Sequence, residues 1–328
     1  MDKTIRWGIL GCGNIANKFA TDLQMVSGSV LRAVASRDPE RAQKFAIKHT
    51  AERTYSNYTA LVNDPDLDVI YVATTHNFHY EHAALCLEAN KAVLCEKPIC
   101  VNAQEAQKLV ELSRKKDIFL MEAMWTLFFP TVTRLIKDID SGIIGTPQLV
   151  QADFGITKPP EAGSRFYEKK LAAGALLDLG IYTINFSNIV FSSKPKGISG
   201  YAQFTDQGVD RLSTYNLIYS EGRQALLSAA IALPTPHQAR IYGDKGRIVV
   251  DDFYHPQQYQ IILNGKKPKL VNDGFDGFGY LYEAREVQQC LLDGKTESTI
   301  CPLDETVATM RIMDDLRKQW GLRYPNEN

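Results

Sequence analysis

The sequence has no surplus of charge of either sign. Its 328 residues include 37 lysines and arginines against 38 aspartates and glutamates, which gives a net charge of −1. Binding to nucleic acid or to an anionic membrane surface usually requires a basic excess. The balance therefore argues against both kinds of partner.

Cysteine spacings typical of disulfide frameworks or zinc sites are also lacking. The six cysteines include no C-x-x-C pair, as is common in reduced, cytoplasmic proteins. We also expect no membrane-spanning run, and no signal peptide ahead of the first apolar strand. His76, His79 and His82 are spaced like metal ligands on a helix, but no carboxylate or cysteine set completes such a site. A cytoplasmic protein without a metal is therefore expected.

The most informative stretch present is a glycine-rich turn. The apolar strand Ile5–Leu10 runs into Gly11-Cys12-Gly13-Asn14-Ile15-Ala16, which opens a helix. In a G-x-G-x-x-A turn the first glycine permits the bend, the second lets a pyrophosphate approach, and the small third residue allows close packing. The free N–H groups of the helix then face the phosphates. The position favours dinucleotide binding over a plain tight turn.

Strand and helix patterns alternate from this turn to about residue 123. Such alternation predicts a doubly wound parallel sheet. From Met124 onward closely spaced strands dominate, which favours antiparallel pairing. We therefore expect an α/β protein with an N-terminal Rossmann domain over residues 1–123. An α+β domain with an open, mostly antiparallel sheet is expected over residues 124–328.

The end of the second strand bears on the choice of cofactor. Ser36 and Arg37 stand where NAD-specific folds usually carry an acidic residue for the ribose 2′-hydroxyl. A hydroxyl and a guanidinium suit a 2′-phosphate better. Asp38 is one residue late and, with Pro39 behind it, is expected to cap the next helix. The pattern favours NADP, with NAD as the alternative.

Polar residues follow two later strands of the predicted sheet. Thr74, Thr75, Asn77 and His79 form or follow a loop after one strand, and we interpret this loop as facing cofactor and substrate. His82 is expected on the helix surface. Glu96-Lys97-Pro98 ends the next strand, where Pro98 would restrain the backbone that aims Lys97. An ordinary solvated lysine is the alternative.

Asp178 and Tyr182 are four residues apart in a predicted helix from Gly174 to Phe191. At that spacing they share one helix face. A helical tyrosine is often core filler, so the pair alone leaves catalysis open.

Together these motifs resemble the glucose–fructose oxidoreductase and inositol dehydrogenase family (Gfo/Idh/MocA) over essentially the whole chain. The residues that carry the resemblance are Gly11-x-Gly13-Asn14-Ile15-Ala16, Thr75-His76-Asn77-x-His79, Glu96-Lys97-Pro98 and Gly174-Ala175-Leu176-x-Asp178-x-Gly180-x-Tyr182. Arg37, the stretch from Glu122 to Pro130, and Ser164-Arg165-Phe166 make the chain similar to the dimeric dihydrodiol dehydrogenase branch, which also oxidises aldopyranoses such as D-xylose. Ala172-Ala173-Gly174 departs from a family stretch of three glycines.

The resemblance implies roles for individual residues. Tyr182 would be the general acid/base, with Lys97 beside it favouring tyrosinate and Asp178 orienting lysine or substrate. The expected cofactor-binding residues are Gly11, Gly13, Asn14, Ile15, Ser36, Arg37, Thr74, Thr75, Asn77, His79, Glu96, Lys97, Trp125 and Arg165. The expected substrate-binding residues are His79, Trp125, Phe154, Asp178 and Tyr182.

It also implies a cis peptide before Pro98 and a homodimer formed through the open sheet. The expected function is NADP-dependent hydride transfer with a secondary alcohol of a sugar or cyclic trans-diol. An anhydroketose reductase or inositol-type dehydrogenase of the same family is a close alternative. A non-catalytic NAD(P)-binding sensor is an alternative of another class, and the presence of Lys97, Asp178 and Tyr182 argues against it.

Overall fold

The chain forms two compact units whose division differs from the predicted boundary. A computed structural model describes residues 4–159, 161, 163–325 and 327. The first unit contains Met1–Phe128 and Asp276–Val307, and the second contains Phe129–Phe275 and Ala308–Asn328. The sequence predicted a single crossing at residue 123, whereas the chain returns to the first unit near its C-terminal end.

The first unit contains the predicted parallel sheet, in the order β3-β2-β1-β4-β5-β6. Its strands are β1 (Ile5–Leu10), β2 (Ser29–Ala35), β3 (Arg53–Tyr55), β4 (Val69–Val72), β5 (Ala92–Glu96) and β6 (Leu120–Ala123). Its helices are α1 (Asn14–Leu23), α2 (Pro39–His49), α3 (Tyr58–Val62), α4 (His79–Glu88), α5 (Ala103–Lys116), α8 (Tyr280–Leu292) and the first turn of α9 (Leu303–Trp320). The Rossmann prediction is confirmed; β3 and α3 are additions to it.

The strand order places a topological switch between β1 and β4. The chain runs outward from β1 through β2 and β3 and then returns to the other side at β4. Ligands of open α/β sheets bind beyond the carboxyl ends of the strands at such a point. The glycine turn after β1 and the Thr74 loop after β4 both begin there.

A buried carboxylate explains why the late segment belongs to the first unit. Asp22 of α1 is fully buried and accepts hydrogen bonds from the backbone N–H groups of Phe278 (2.9 and 3.0 Å) and Tyr280 (2.8 Å). These N–H groups lie at the start of α8 and have no intrahelical acceptor. Asp22 therefore fixes α8 on the Rossmann sheet, a contact more than 250 residues apart in sequence.

The second unit contains an eight-stranded sheet in the order β14-β13-β12-β11-β7-β10-β9-β8, antiparallel except for the parallel pair β7–β10. The strands are β7 (Pro147–Gly155), β8 (Gly197–Phe204), β9 (Asp210–Ile218), β10 (Gln224–Ala230), β11 (Ala239–Gly243), β12 (Gly246–Val250), β13 (Gln258–Leu263) and β14 (Lys269–Asn272). Helices α6 (Pro130–Asp140), α7 (Ile181–Phe191) and the remainder of α9 accompany it.

The segment leading into α7 corrects two expectations. Lys169–Phe191 is long and apolar enough to cross a membrane, contrary to the prediction of no such run. However, 89% of its most apolar stretch is buried in the protein, as in core helices of soluble proteins. The predicted continuous helix from Gly174 also differs. Leu176–Gly180 is a π-turn, and regular α-helix begins only at Ile181.

Candidate active site

The glycine turn after β1 has the geometry of a phosphate cradle. Gly11 has φ +101°, and a Cβ there would lie 2.8 Å from the Ala73 carbonyl oxygen, so only glycine fits. A Cβ on Gly13 would meet nothing within 4 Å, and no side chain caps the N-terminus of α1 behind it. Ala16 is fully buried. The open space and free N–H groups fit a dinucleotide pyrophosphate.

The end of β2 offers an exposed cation beside a buried hydroxyl. Ser36 is buried and accepts a hydrogen bond from the Asp38 backbone N–H at 3.2 Å, while Arg37 is exposed, 5.5 Å from the centre of the Phe78 ring. Asp38 caps α2 through the Arg41 N–H at 3.1 Å, as expected. No acidic side chain stands at positions 36 or 37 to repel a 2′-phosphate.

The loop after β4 is fastened by His79. This ring is fully buried, with Nδ1 2.7 Å from the Pro98 carbonyl oxygen and Nε2 3.1 Å from that of Thr74. Burial lowers the pKa of His79, which favours the neutral ring. Direct contact of His79 with cofactor and substrate stays a prediction. Backbone carbonyls face both ring nitrogens, and His79 ties the β4 loop to the turn after β5.

Neighbouring residues of this loop are also engaged in packing. Thr75 donates its hydroxyl hydrogen to Asn77 Oδ1 at 2.8 Å. His82, expected on the surface, is buried, with Nδ1 3.0 Å from the Thr74 hydroxyl, and burial lowers its pKa to about 4. The surface prediction failed because α3, whose Tyr58 ring contacts His82, had not been foreseen.

The Glu96-Lys97-Pro98 turn is accompanied by two buried acidic side chains, Glu96 and Glu122. The Lys97–Pro98 peptide is cis, as the resemblance implies. Glu96 accepts a hydrogen bond from the Tyr71 hydroxyl, and Glu122 accepts one from the Ile99 backbone N–H at 2.9 Å. Burial raises the pKa of Glu122 to about 7. Lys97 is only partly buried.

A further acid and an aromatic pair complete this half. Glu283 of α8 is fully buried, and neither carboxyl oxygen has a hydrogen-bond partner among the described residues. Burial and the charges of Glu96 and Asp22 raise the pKa of Glu283 well above its usual range, which favours the neutral form of the group. Trp125 stacks on Tyr280 with ring centres 4.6 Å apart. Sequence reasoning missed Tyr71, Tyr280 and Glu283, which no local motif marks.

The second unit carries the other predicted catalytic residues. Asp178 lies in the π-turn, almost completely buried, and its Oδ1 is 3.4 Å from Nη1 of the exposed Arg165. A π-turn adds one residue to a helical turn, so the regular α-helical spacing expected for Asp178 and Tyr182 is not present. Such turns are frequent at functional sites.

Aromatic rings wall Tyr182. Its ring centre is 5.5 Å from that of Phe154 and 6.0 Å from that of Tyr254, and these two rings stack on each other at 4.2 Å. Tyr182 is 7% exposed. The structure thus brings the predicted pair Phe154 and Tyr182 together and adds Tyr254, which the sequence analysis had not selected.

The predicted residues therefore form two sets, one in each unit. Gly11 to Trp125 belong to the first, and Phe154, Arg165, Asp178 and Tyr182 to the second. Within the described residues no group of three histidine, cysteine or acidic side chains could hold a metal ion.

Comparisons with known proteins agree with this arrangement. Residues 5–124 match the model of the oxidoreductase family with an NAD-binding Rossmann fold, and residues 132–249 match the GFO/IDH/MocA C-terminal domain. The chain belongs to the Gfo/Idh/MocA family. The resemblance inferred from the motifs is confirmed, and with it an oxidoreductase that binds a nicotinamide dinucleotide.

Individual relatives of this Gfo/Idh/MocA protein cover nearly its full length. Trans-1,2-dihydrobenzene-1,2-diol dehydrogenase of Xenopus tropicalis is 38% identical over 98% of this chain and 99% of its own. The mouse protein of that name is 36% identical, with the same coverage. Among solved structures, the Actinomadura kijaniata 3-ketoreductase KijD10 with NADP and TDP-benzene has a TM-score of 0.88 at 23% identity, covering 96% of this chain and 98% of its own. The aldose-aldose oxidoreductase of Caulobacter crescentus has a TM-score of 0.88 at 22% identity, covering 96% and 97%.

Proposed function

We propose that this protein is an NADP-dependent dehydrogenase of a secondary alcohol, in an aldopyranose such as D-xylose or in a cyclic trans-diol. The observation that carries the proposal is the placement of Tyr182, a buried residue that follows the π-turn containing Asp178 and whose ring contacts Phe154 and Tyr254. An apolar wall beside one acid/base group suits a carbon ring that carries a hydroxyl. The full-length relatives named dihydrodiol dehydrogenase support the diol.

In this proposal Tyr182 takes the hydroxyl proton as the alcohol becomes a carbonyl and returns it in the reverse reaction. The bound nicotinamide supplies the hydride acceptor. Lys97 favours the tyrosinate form by its positive charge, and Asp178 orients its partners. Trp125 and Phe154 hold the substrate ring. Arg165, which pairs with Asp178, is proposed to contact the cofactor.

The dinucleotide is proposed to be held by the first unit. The cradle of Gly11, Gly13, Asn14 and Ile15 takes the pyrophosphate, and Ser36 with Arg37 takes the 2′-phosphate. Thr74, Thr75, Asn77, Glu96 and Lys97 lie at strand ends along the same sheet edge and are proposed to meet the ribose and nicotinamide.

We further propose a homodimer formed through the open face of the second sheet, in the cytoplasm. Cross-strand register puts Tyr201, Ile218, Leu226 and Leu270 on this one face, where Tyr201 is 85% and Leu226 44% exposed. Exposed apolar side chains on an open sheet face favour a partner sheet. All six cysteines are unpaired thiols, which is consistent with a reducing compartment.

The deciding experiment compares Tyr182→Phe with wild type after a screen of NADP with aldoses, polyols and diols. We expect kcat to fall by about 10²–10⁴-fold in the variant while NADP affinity is unchanged, because only a transferable proton is lost. Tyr219→Phe serves as a control for removal of a buried hydroxyl. If no substrate is turned over while NADP binds tightly, a cofactor-binding sensor replaces the proposal.

A further inference from the structure

The π-turn that carries Asp178 is held from outside by side chains of β9. Asp210, at the start of β9, is fully buried and accepts a hydrogen bond from the backbone N–H of Leu176 at 2.7 Å. Tyr215, within β9, donates a hydrogen bond to the Gly180 carbonyl oxygen at 3.3 Å and shares one of 2.6 Å with the Thr183 hydroxyl. Side chains of strand β9 are thus hydrogen-bonded to the first and the last residue of the turn.

Two glycines allow β9 to approach this closely. Gly174 has φ +129°, and a Cβ there would lie 2.1 Å from Asp210 Oδ1. A Cβ on Gly180 would lie 2.8 Å from the Tyr215 hydroxyl oxygen. Any larger residue at either position would displace the Asp210 carboxylate or the Tyr215 hydroxyl from the turn. The two glycines are therefore matched to Asp210 and Tyr215.

The C-terminal segment adds a third support. The Tyr324 hydroxyl donates a 2.7 Å hydrogen bond to the Ala173 carbonyl oxygen, directly before Gly174. Tyr324 packs against the buried guanidinium of Arg317, which pairs with Asp314 and Glu327. The chain that enters the π-turn is thus held on both sides.

A π-turn is less favourable than regular helix and persists where its surroundings stabilise it. An α-helix turns by about 100° per residue, since it has 3.6 residues per turn. If the extra residue of the turn were lost, Asp178 would rotate by about that angle relative to Tyr182. The hydrogen bonds from β9 to the π-turn therefore determine the direction in which Asp178 faces relative to Tyr182.

We infer that Asp210 and Tyr215 are positioning residues for the acid/base pair, acting through the π-turn between Leu176 and Gly180. The inference rests on the proposed role of Tyr182 and assigns β9 a part in catalysis that no motif marks. Neither residue touches the reacting atoms in this proposal. Each determines whether Asp178 and Tyr182 face the same substrate.

The chain offers a matched control for this idea. Tyr219, directly after β9, is buried like Tyr215, and its hydroxyl contacts Ser187 and Asn188 at 2.8 Å each, farther along α7. Burial raises the pKa of both tyrosines, so both hydroxyls stay protonated at neutral pH. The variants Tyr215→Phe and Tyr219→Phe each lose a hydroxyl that contacts helix α7, but only the first loosens the turn.

The experiment measures kcat, KM, NADP affinity and thermal stability for both variants, alone and combined with Tyr182→Phe. We expect Tyr215→Phe to lower kcat about tenfold or more, since small misplacements of catalytic groups cost up to about 10²-fold, with NADP affinity unchanged. Tyr219→Phe should stay within about twofold of wild-type kcat at a similar loss of thermal stability. In the Tyr182→Phe background, Tyr215→Phe should add almost nothing, because the positioned proton is already gone.

Asp210 provides a second, independent measurement. Asp210→Asn keeps a side-chain oxygen that can accept the Leu176 N–H, whereas Asp210→Val removes it. We expect Asn to retain most of the kcat that Val loses. Equal kcat losses in Tyr215→Phe and Tyr219→Phe, or no rescue by Asp210→Asn, would overturn the inference. If Tyr182→Phe is inactive in the same experiment, the proposed function is still supported. An active Tyr182→Phe would overturn both.

Discussion

The ionisation of Glu122 is expected to couple the stability of the protein to pH. Its side chain lies at the end of β6, fully buried, and accepts hydrogen bonds from the Ile99 N–H (2.9 Å) and the Thr306 hydroxyl (3.1 Å). Burial raises the pKa of Glu122 from about 4.5 to about 7, although both hydrogen bonds and Lys97 lower it. Burial in an apolar core is the dominant cause.

The direction of the pH effect follows from the raised pKa. The folded protein holds the Glu122 proton more tightly than the unfolded chain, so unfolding releases it between about pH 4.5 and pH 7. The contribution of Glu122 to stability is therefore fully present below about pH 4.5 and is lost as pH rises through about 7. A pKa difference of this size corresponds to about 3 kcal/mol.

Glu122→Gln should remove this dependence. The amide is neutral at every pH, its oxygen can accept the Ile99 N–H, and the Thr306 hydroxyl can turn to accept from its NH2 group. We expect wild type to lose up to about 3 kcal/mol of unfolding free energy relative to the variant between about pH 5 and about pH 8. Urea unfolding followed by tryptophan fluorescence measures it, with Trp7 and Trp125 reporting on the first unit.

Glu81→Gln, on the exposed surface of α4, is the matched control and should follow the wild-type pH dependence. If Glu122→Gln and wild type change in parallel with pH, the carboxyl group ionises as it does in water, and the reasoning from burial is wrong.

Two further predictions concern the cofactor and the assembly. Arg37→Asp should weaken NADP binding by roughly 1.5–3 kcal/mol, the value of one charge-assisted phosphate contact, and should leave NAD binding unchanged. Fluorescence titration measures both affinities. Equal wild-type affinity for NADP and NAD would refute the role of Arg37. Leu226→Lys should convert the proposed homodimer to monomers in light scattering, because it buries a charge in the proposed interface between the two sheets. Leu292→Lys, an equally exposed leucine at the end of α8, should leave the mass unchanged, and a monomeric wild type at micromolar concentration would contradict the proposed dimer.

Local patterns were sufficient for most of the parallel sheet of the first unit. Three features are each predicted from a few adjacent residues: the apolar strand β4, the cap Asp38 before Pro39, and the glycine turn after β1. The structure contains all three. The short edge strand β3 went unpredicted because Arg53-Thr54-Tyr55 has no apolar alternation, and its pairing with β2 supplies what the segment itself lacks.

The sequence motifs predicted which residues carry the chemistry, whereas only the tertiary structure determined which residues hold them in place. Lys97, Asp178 and Tyr182 stand in recognisable local sequences. The residues that hold the neighbouring backbone come from distant elements: Glu122 from β6 binds the Ile99 N–H, and Asp210 and Tyr215 from β9 bind the π-turn. Nothing within Gly174–Gly180 distinguishes a π-turn from an α-helix, because the hydrogen-bond partners that stabilise it lie more than thirty residues along the chain. Hydrophobic periodicity records which face of an element is buried, whereas a hydrogen bond to a buried backbone group depends on which element the fold brings beside it.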